Sequence, residues 1–338
     1  MKQPKFLLPL SLLSAVVLAV SASHAARFRV CNGSPVKWRD DLNVHRNSCS
    51  IGDSGNSNTS YWNGVLQWDD LTSEVDDFRR RPSSDCTFDT DDGVNEVFRA
   101  SRATLDGNNG VTFLQLGACF IGSNDIDQAD VGVASDLPMT NPSPVAMGNE
   151  GRGTFVHEFG HFFGLLDENA GHGAMHQTPR PYTGGNQTAS VFPTDTTGIN
   201  SMYGLDSTRS NLLPSAHRVS SSTTSLLETG TVTACRGSSR NIRFYLGNSG
   251  SGGSGTYNLR VRLTTSSTGA GGTTAATFTH SLGGFSQGVF TLGFKVPNSL
   301  ANGTYFIFVD MDQTSSITEV REGDNSTRSG QRLSVTCG

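Results

Sequence analysis

The 338-residue chain is 35% hydrophobic and 16% charged, enough apolar content for packed cores and too little charge for a disordered polymer. Its length suits two ordinary domains. With 25 Lys and Arg against 30 Asp and Glu the net charge is −5, which excludes a basic footprint for nucleic acid or an anionic membrane surface.

Residues 1–25 have the grammar of a secretory signal. Lys2 and Lys5 open the segment, residues 6–20 are largely apolar, and Ser23 and Ala25 place small side chains at the −3 and −1 positions of a cleavage site. The apolar stretch is too short to cross a bilayer, and no later run approaches ~18 apolar residues. The expectation is a secreted protein without a transmembrane segment, its mature chain starting near Ala26. Export makes disulfides the ordinary fate of Cys31, Cys49, Cys86, Cys119, Cys235 and Cys337. Chain order suggests Cys31–Cys49, Cys86–Cys119 and Cys235–Cys337, among the several pairings that six cysteines allow.

From 26 to about 203 the chain mixes helical and strand-like runs. In 60–78, Trp62, Val65, Leu66 and Trp68 recur near helical spacing and predict an amphipathic helix. Residues 111–120 and 129–134 read as strands. The acidic segments 89–96 (DTDDGVNE) and 125–130 (DIDQAD) raise calcium as an additional ion. Neither has EF-hand spacing, and solvated loops are the commoner outcome.

Residues 153–169 (GTFVHEFGHFFGLLDEN) carry the chemistry. Phe155, Phe159, Phe162 and Phe163 fall on one apolar face of a helix. His157 and His161, four apart, stand one turn above each other on another face, where two imidazoles can hold one metal ion. Glu158 falls beside that ion, placed to accept a proton from water there. Asp167 follows His161 by six residues, about 240° further round a straight helix. It becomes a third ligand only if the chain turns back, and Gly164 permits that turn. His172 is the competing third ligand, at a spacing that fits no pattern. His176 and His217 read as surface or loop histidines.

Around 205–231 the composition turns to Ser and Thr, including SSSTTS, a linker signal. Beyond 231 the pattern is strands alone: NIRFYL, YNLRVRL, GVFTLGFKV, GTYFIFVDM and RLSV, parted by Gly- and Ser-rich turns, as in a small sandwich. NSGSGGSG (248–255) lies between two strands and reads as a long turn.

The spacing H-E-x-x-H-x-x-G-x-x-D resembles the zinc helix of the metzincin metalloendopeptidases. GSPVKWRDDLNVHR and the Trp-rich helix after it are similar to the start of matrixin-type catalytic domains. The resemblance implies a Met-containing turn beneath the metal, with Met202 in NSMYG as the candidate and Met175 in GHGAMHQ as the competitor. Tyr203 follows that methionine directly and is not taken as a catalytic group. No pro-segment with an inhibitory cysteine is visible, and Cys31 reads as a disulfide partner. FYLGNSGSGGSGTYNLRVRL and VPNSLANGTYFIFVDMDQTSSITEVREGDNS resemble an immunoglobulin-type adhesion module called CARDB.

The resulting expectation is an α+β fold: a zincin-like catalytic domain (26–210) of twisted mixed sheet plus helices with an active-site helix, a linker (211–230) and an immunoglobulin-like β-sandwich (231–338). The activity expected is a zinc-dependent endopeptidase acting on extracellular protein or peptide substrates, with one zinc on His157, His161 and Asp167 and Glu158 as general base. A surface ligand for the C-terminal domain, no nucleic acid and a monomeric chain complete it. The alternative is a secreted adhesion or surface-binding protein with a non-catalytic zincin-like domain.

Overall fold

A computed structural model describes residues 27–31, 33–38, 43–51, 55–69, 79–83, 92–117, 124–139, 151–168, 173–175, 191–204, 208–216 and 230–337. In the N-terminal half the elements are β1 (Val30–Cys31), β2 (Ser34–Pro35), β3 (Asn43–Asn47), α1 (Ser48–Ile51), α2 (Gly55–Asp69), β4 (Arg79–Ser83), β5 (Asn95–Ala100), β6 (Gly110–Leu116), β7 (Ile126–Ala134), α3 (Gly151–Phe162) and α4 (Pro193–Tyr203). The C-terminal half adds β8 (Leu212–Ala216), β9 (Gly230–Ala234), β10 (Ser239–Asn248), β11 (Tyr257–Thr264), β12 (Thr273–His280), β13 (Gln287–Lys295), β14 (Gly303–Met311) and β15 (Ser326–Val335).

Five strands make one N-terminal sheet in the order β4-β3-β5-β7-β6. All neighbours are parallel except β6, which runs antiparallel to β7 and forms an edge. Strand β7 is buried along nearly its whole length, as expected for an apolar strand covered on both faces. Helices α2 and α3 pack together because small and aromatic residues alternate at their contact. Gly64 lets the backbones approach, a Cβ there lying 2.9 Å from Phe155 Cβ. Tyr61 meets Phe155 edge-on at 6.3 Å, and the Trp68 indole N–H donates to the Val156 carbonyl at 2.8 Å. Phe155, Phe159 and Phe162 of α3, and Phe163 just after it, are buried in the same core.

The C-terminal half is a sandwich of a three-stranded sheet, β13-β10-β8, on a five-stranded one, β12-β11-β14-β15-β9. Its core is separate from the N-terminal one. Cys235 and Cys337 are joined, as chain order suggested, and Cys31 is also disulfide-bonded. The Cys49, Cys86 and Cys119 side chains lie outside the described residues, as do 1–25.

Two expectations are corrected. The α+β class, a zincin-like domain with an active-site helix, does not fit: fifteen strands against four helices make the described residues mainly β. The Gly-, Ser- and Thr-rich composition accounts for this, since it disfavours helix propagation and leaves the helices at 4 to 15 residues. Residues 212–216, assigned to the linker, form strand β8, which pairs antiparallel with β10 and belongs to the sandwich. No helix among the described residues is long and apolar enough to cross a membrane.

Candidate metal centre

Helix α3 carries His157, Glu158 and His161, and the turn at its C-terminal end reverses the chain. Gly164 takes a φ of +92°, open to glycine and strained for other residues. Its N–H donates to the His161 carbonyl at 2.8 Å and the Leu165 N–H to the Gly160 carbonyl at 3.0 Å, the paired bonds of a Schellman ending. A Cβ on Gly164 would also stand 2.6 Å from the Val36 carbonyl oxygen. The Phe162 and Phe163 carbonyls accept from Trp38 Nε1 at 2.8 Å and Tyr203 Oη at 2.9 Å, so the helix end is satisfied inside the core. Tyr203 thereby has a structural task.

The reversal brings Asp167 over the histidines. Its Oδ1 lies 3.2 Å from His157 Nε2 and 3.4 Å from His161 Nε2. The opposite ring nitrogens are held by backbone carbonyls, His157 Nδ1 donating to Ala174 and His161 Nδ1 to Leu165, each at 2.8 Å. Carbonyls only accept, so each Nδ1 carries a hydrogen and each neutral ring points its Nε2 lone pair inward. Three lone pairs then face one another, and the buried Asp167 Oδ1 has no hydrogen-bond donor. That arrangement fits a cation: the three donor atoms lie within 4.8 Å of one another. Without an ion, protonation relieves the conflict. Burial opposes a charge on His157, but the Asp167 carboxylate, Glu158 and the Ala174 carbonyl together lift it to about 9. The same two histidines hold the Asp167 carboxyl well below the usual carboxylate range against its desolvation.

Glu158 is buried at 5% exposure between α3 and strand β6. Thr112 Oγ1 on β6 lies 2.8 Å from Glu158 Oε2 and 2.9 Å from the Glu158 carbonyl oxygen. Gly110 leaves the room, since a Cβ there would lie 2.7 Å from Glu158 Oε1. Together with Arg27, Arg29, Val111, Leu114 and Leu166 these groups line a cleft of about 710 Å³.

Asp195 is a positioning residue that sequence reasoning missed. From the first turn of α4 it accepts the Phe192 N–H at 2.9 Å, the Ala174 N–H at 2.7 Å and the Met175 N–H at 3.2 Å. It therefore fixes the turn whose Ala174 carbonyl orients His157. Only the short carboxylate three residues into a Pro-headed helix hinted at a capping role.

Of the two methionines weighed, Met202 lies in α4 and lines a separate cavity of about 330 Å³ with Ser34, Lys37 and Asp125. Met175 packs its thioether onto α3 at Gly160. His172, His176 and His217 lie outside the described residues. Of the acidic segments considered for calcium, the described residues 92–96 and 125–130 are linked by hydrogen bonds. Gln128 Nε2 donates to Asp92 at 3.1 Å and to Asp130 at 3.0 Å, and the Glu96 N–H donates to Asp130 at 2.8 Å. A second group of converging carboxylates, Asp312, Glu319 and Glu322, lies in the sandwich.

No family model matches the chain, and no curated protein does. Part of it is similar to solved structures. A CARDB domain from Pyrococcus furiosus, crystallised in complex with di-metal ions, is 19% identical over 38% of this chain and 90% of its own, with a TM-score of 0.27. A domain assigned to a cell surface protein of Methanosarcina acetivorans is 18% identical over 31% and 84%, at 0.23. A family 123 glycoside hydrolase of Clostridium perfringens is 11% identical over 32% and 23%, at 0.21.

Proposed function

We propose that this chain is a secreted zinc-dependent endopeptidase that hydrolyses peptide bonds of extracellular proteins. The observation that carries the reading is the convergence of His157 Nε2, His161 Nε2 and Asp167 Oδ1 beside the buried carboxylate of Glu158 in an open cleft. Two imidazoles and one carboxylate suit zinc, which when bound supplies a Lewis acid for a peptide carbonyl and for water. His157 and His161 offer Nε2 while their Nδ1 hydrogens stay on backbone carbonyls. Thr112 engages Glu158 Oε2, so Oε1 takes the proton from the attacking water and returns it to the leaving amine. Strand β6 borders the cleft and is the edge of its sheet, which suits an extended peptide added as one more strand.

The second reading is a secreted adhesion or surface-binding protein whose metal constellation does not turn over substrate. The disulfide-closed sandwich and the mainly β composition favour it. One experiment separates the two: casein cleavage by the purified protein with and without a chelator, beside Glu158→Gln. The endopeptidase reading expects chelator-sensitive cleavage and a loss of about 10²–10⁴-fold in the variant at unchanged zinc content. Near-normal cleavage by Glu158→Gln overturns the mechanism, and a wild type without chelator-sensitive activity leaves the binding reading standing.

A further inference from the structure

The segment joining β14 to β15 folds Asp312, Glu319 and Glu322 toward one point. Their carboxylate oxygens lie within 4.8 Å of one another, although Asp312 is 1% and Glu319 3% exposed. Part of this is ordinary loop architecture. Asp312 accepts the Ser316 N–H and hydroxyl at 3.1 and 2.6 Å and the Ile317 N–H at 2.7 Å, and Glu319 accepts from the Leu212 N–H. Asp312 Oδ1 takes two of these bonds, whereas Asp312 Oδ2 and each Glu319 oxygen take one and retain a further lone pair.

Two neighbours are not explained that way. Asp324 is 4% exposed, its charge and that of Glu322 act on Glu319, and neither of its carboxylate oxygens has a hydrogen-bond partner. The Asn211 amide stands near Asp324 without reaching hydrogen-bond geometry. Asn325, 9% exposed, donates through Nδ2 to Glu319 Oε1 at 2.9 Å, and its buried Oδ1 is left without a donor. Three converging carboxylates, two buried and Glu322 exposed, therefore have the buried Asp324 carboxylate and the Asn325 amide oxygen as neighbours. The cations beside them are Arg321, which acts on Asp324, and Arg209, whose guanidinium bonds the Glu319 carbonyl at 3.4 Å. Two positive charges against four carboxylates leave an excess that is relieved either by protonation, burial holding Glu319 and Asp324 well above the usual carboxylate range, or by a bound cation.

We propose that this end of the sandwich is a divalent-cation site of calcium type, held by Asp312, Glu319 and Glu322, with the unpartnered oxygens of Asp324 and Asn325 beside it. The donor set decides the ion: only oxygens, mostly anionic, which suits a hard cation, whereas zinc and copper prefer the imidazoles found at His157 and His161. Through Glu319 the ion would clamp the segment 312–325 to Leu212, the first residue of β8, where the chain enters the sandwich.

The test is calorimetric titration of calcium chloride into the full chain, with thermal unfolding measured in parallel. One equivalent is expected to bind with a dissociation constant of about 10⁻⁴–10⁻³ M and to raise the unfolding temperature of the sandwich. Glu322→Gln, at an exposed position that does not threaten folding, is expected to weaken binding about tenfold, and Asp324→Asn likewise, through loss of negative charge. His157→Ala is expected to leave the calcium response intact. Absence of a calcium-dependent heat and thermal shift, or unchanged affinity in both carboxylate variants, overturns the assignment.

Discussion

At Gly110 the absence of one carbon sets how closely Glu158 stands against strand β6. A Cβ there would lie 2.5 Å from Thr154 Cγ2 and 2.7 Å from both Cγ and Oε1 of Glu158, so on the proposed endopeptidase reading alanine pushes the carboxylate away from the attacking water. Thr112 would still hold Oε2, which makes the displacement a rotation about that anchor and not a loss of the group. Gly110→Ala is therefore expected, under that reading, to lower kcat by about 10²-fold, as a misplacement of roughly 1 Å does, with zinc binding by His157, His161 and Asp167 unchanged. Zinc content and peptide turnover measured on the same preparation check this, and an alanine variant as active as wild type would remove the steric argument. The sequence made Gly164 readable because its task is local: a helix must reverse within six residues to return Asp167 to His161. Gly110 and Thr112 were not readable, because their partner is more than forty positions away and nothing in either short segment marks it.

At the scale of elements, periodicity was legible where one face is buried and silent elsewhere. The α3 phenylalanines, and β10, β11, β13 and β14 with their large apolar residues, could be read directly. Helix α2, Gly55–Asp69 among the described residues, begins before the expected 60 and meets α3 through Tyr61, Gly64 and Trp68, while 70–78 of that expectation lie outside the described residues. Strand β12 (TTAATFTH) was missed because an edge strand of small and polar residues offers no alternation of bulk. Strand β8 was hidden by Pro214 inside a Ser- and Thr-rich stretch, yet it too is an edge, where proline is tolerated. The β5–β7 pair makes a titration prediction. Burial, against the help of the Glu96 N–H and the Gln128 amide, pushes the Asp130 carboxyl up to about 7, with Asp92 and Glu96 adding repulsion. A carboxyl whose folded pKa is raised contributes its stability in full below the unfolded value near 4 and loses it as pH rises through about 7. Thermal unfolding followed from pH 4 to 8 is expected to show the N-terminal transition falling over that interval. Asp130→Asn, which cannot ionise, is expected to lack that component of the slope, and an equal slope in the variant refutes Asp130 as its source.

Two cores share the whole molecule, one around α2, α3 and β7, the other between the sheets of the sandwich, with Phe192, Leu213 and Tyr245 forming a small apolar bridge. Phe192 and Tyr245 stack edge-on at 5.7 Å, a contact too small to make one cooperative unit of two cores of this size. The disulfide lies wholly on one side of that bridge. Cys235 follows β9 and Cys337 follows β15, and these strands are parallel neighbours, so in the folded sandwich the bond links two ends already held side by side. Its effect falls on the unfolded chain, where it closes a loop with a sequence separation of 102. In the chain-entropy account such a loop contributes about 4.7 kcal/mol, to be taken as an upper figure. Replacing Cys235 and Cys337 together by alanine is accordingly expected to lower the sandwich transition in calorimetry by many degrees while the N-terminal transition stays in place. If both transitions move together, the bridge through Phe192 and Tyr245 couples the halves far more strongly than its size implies.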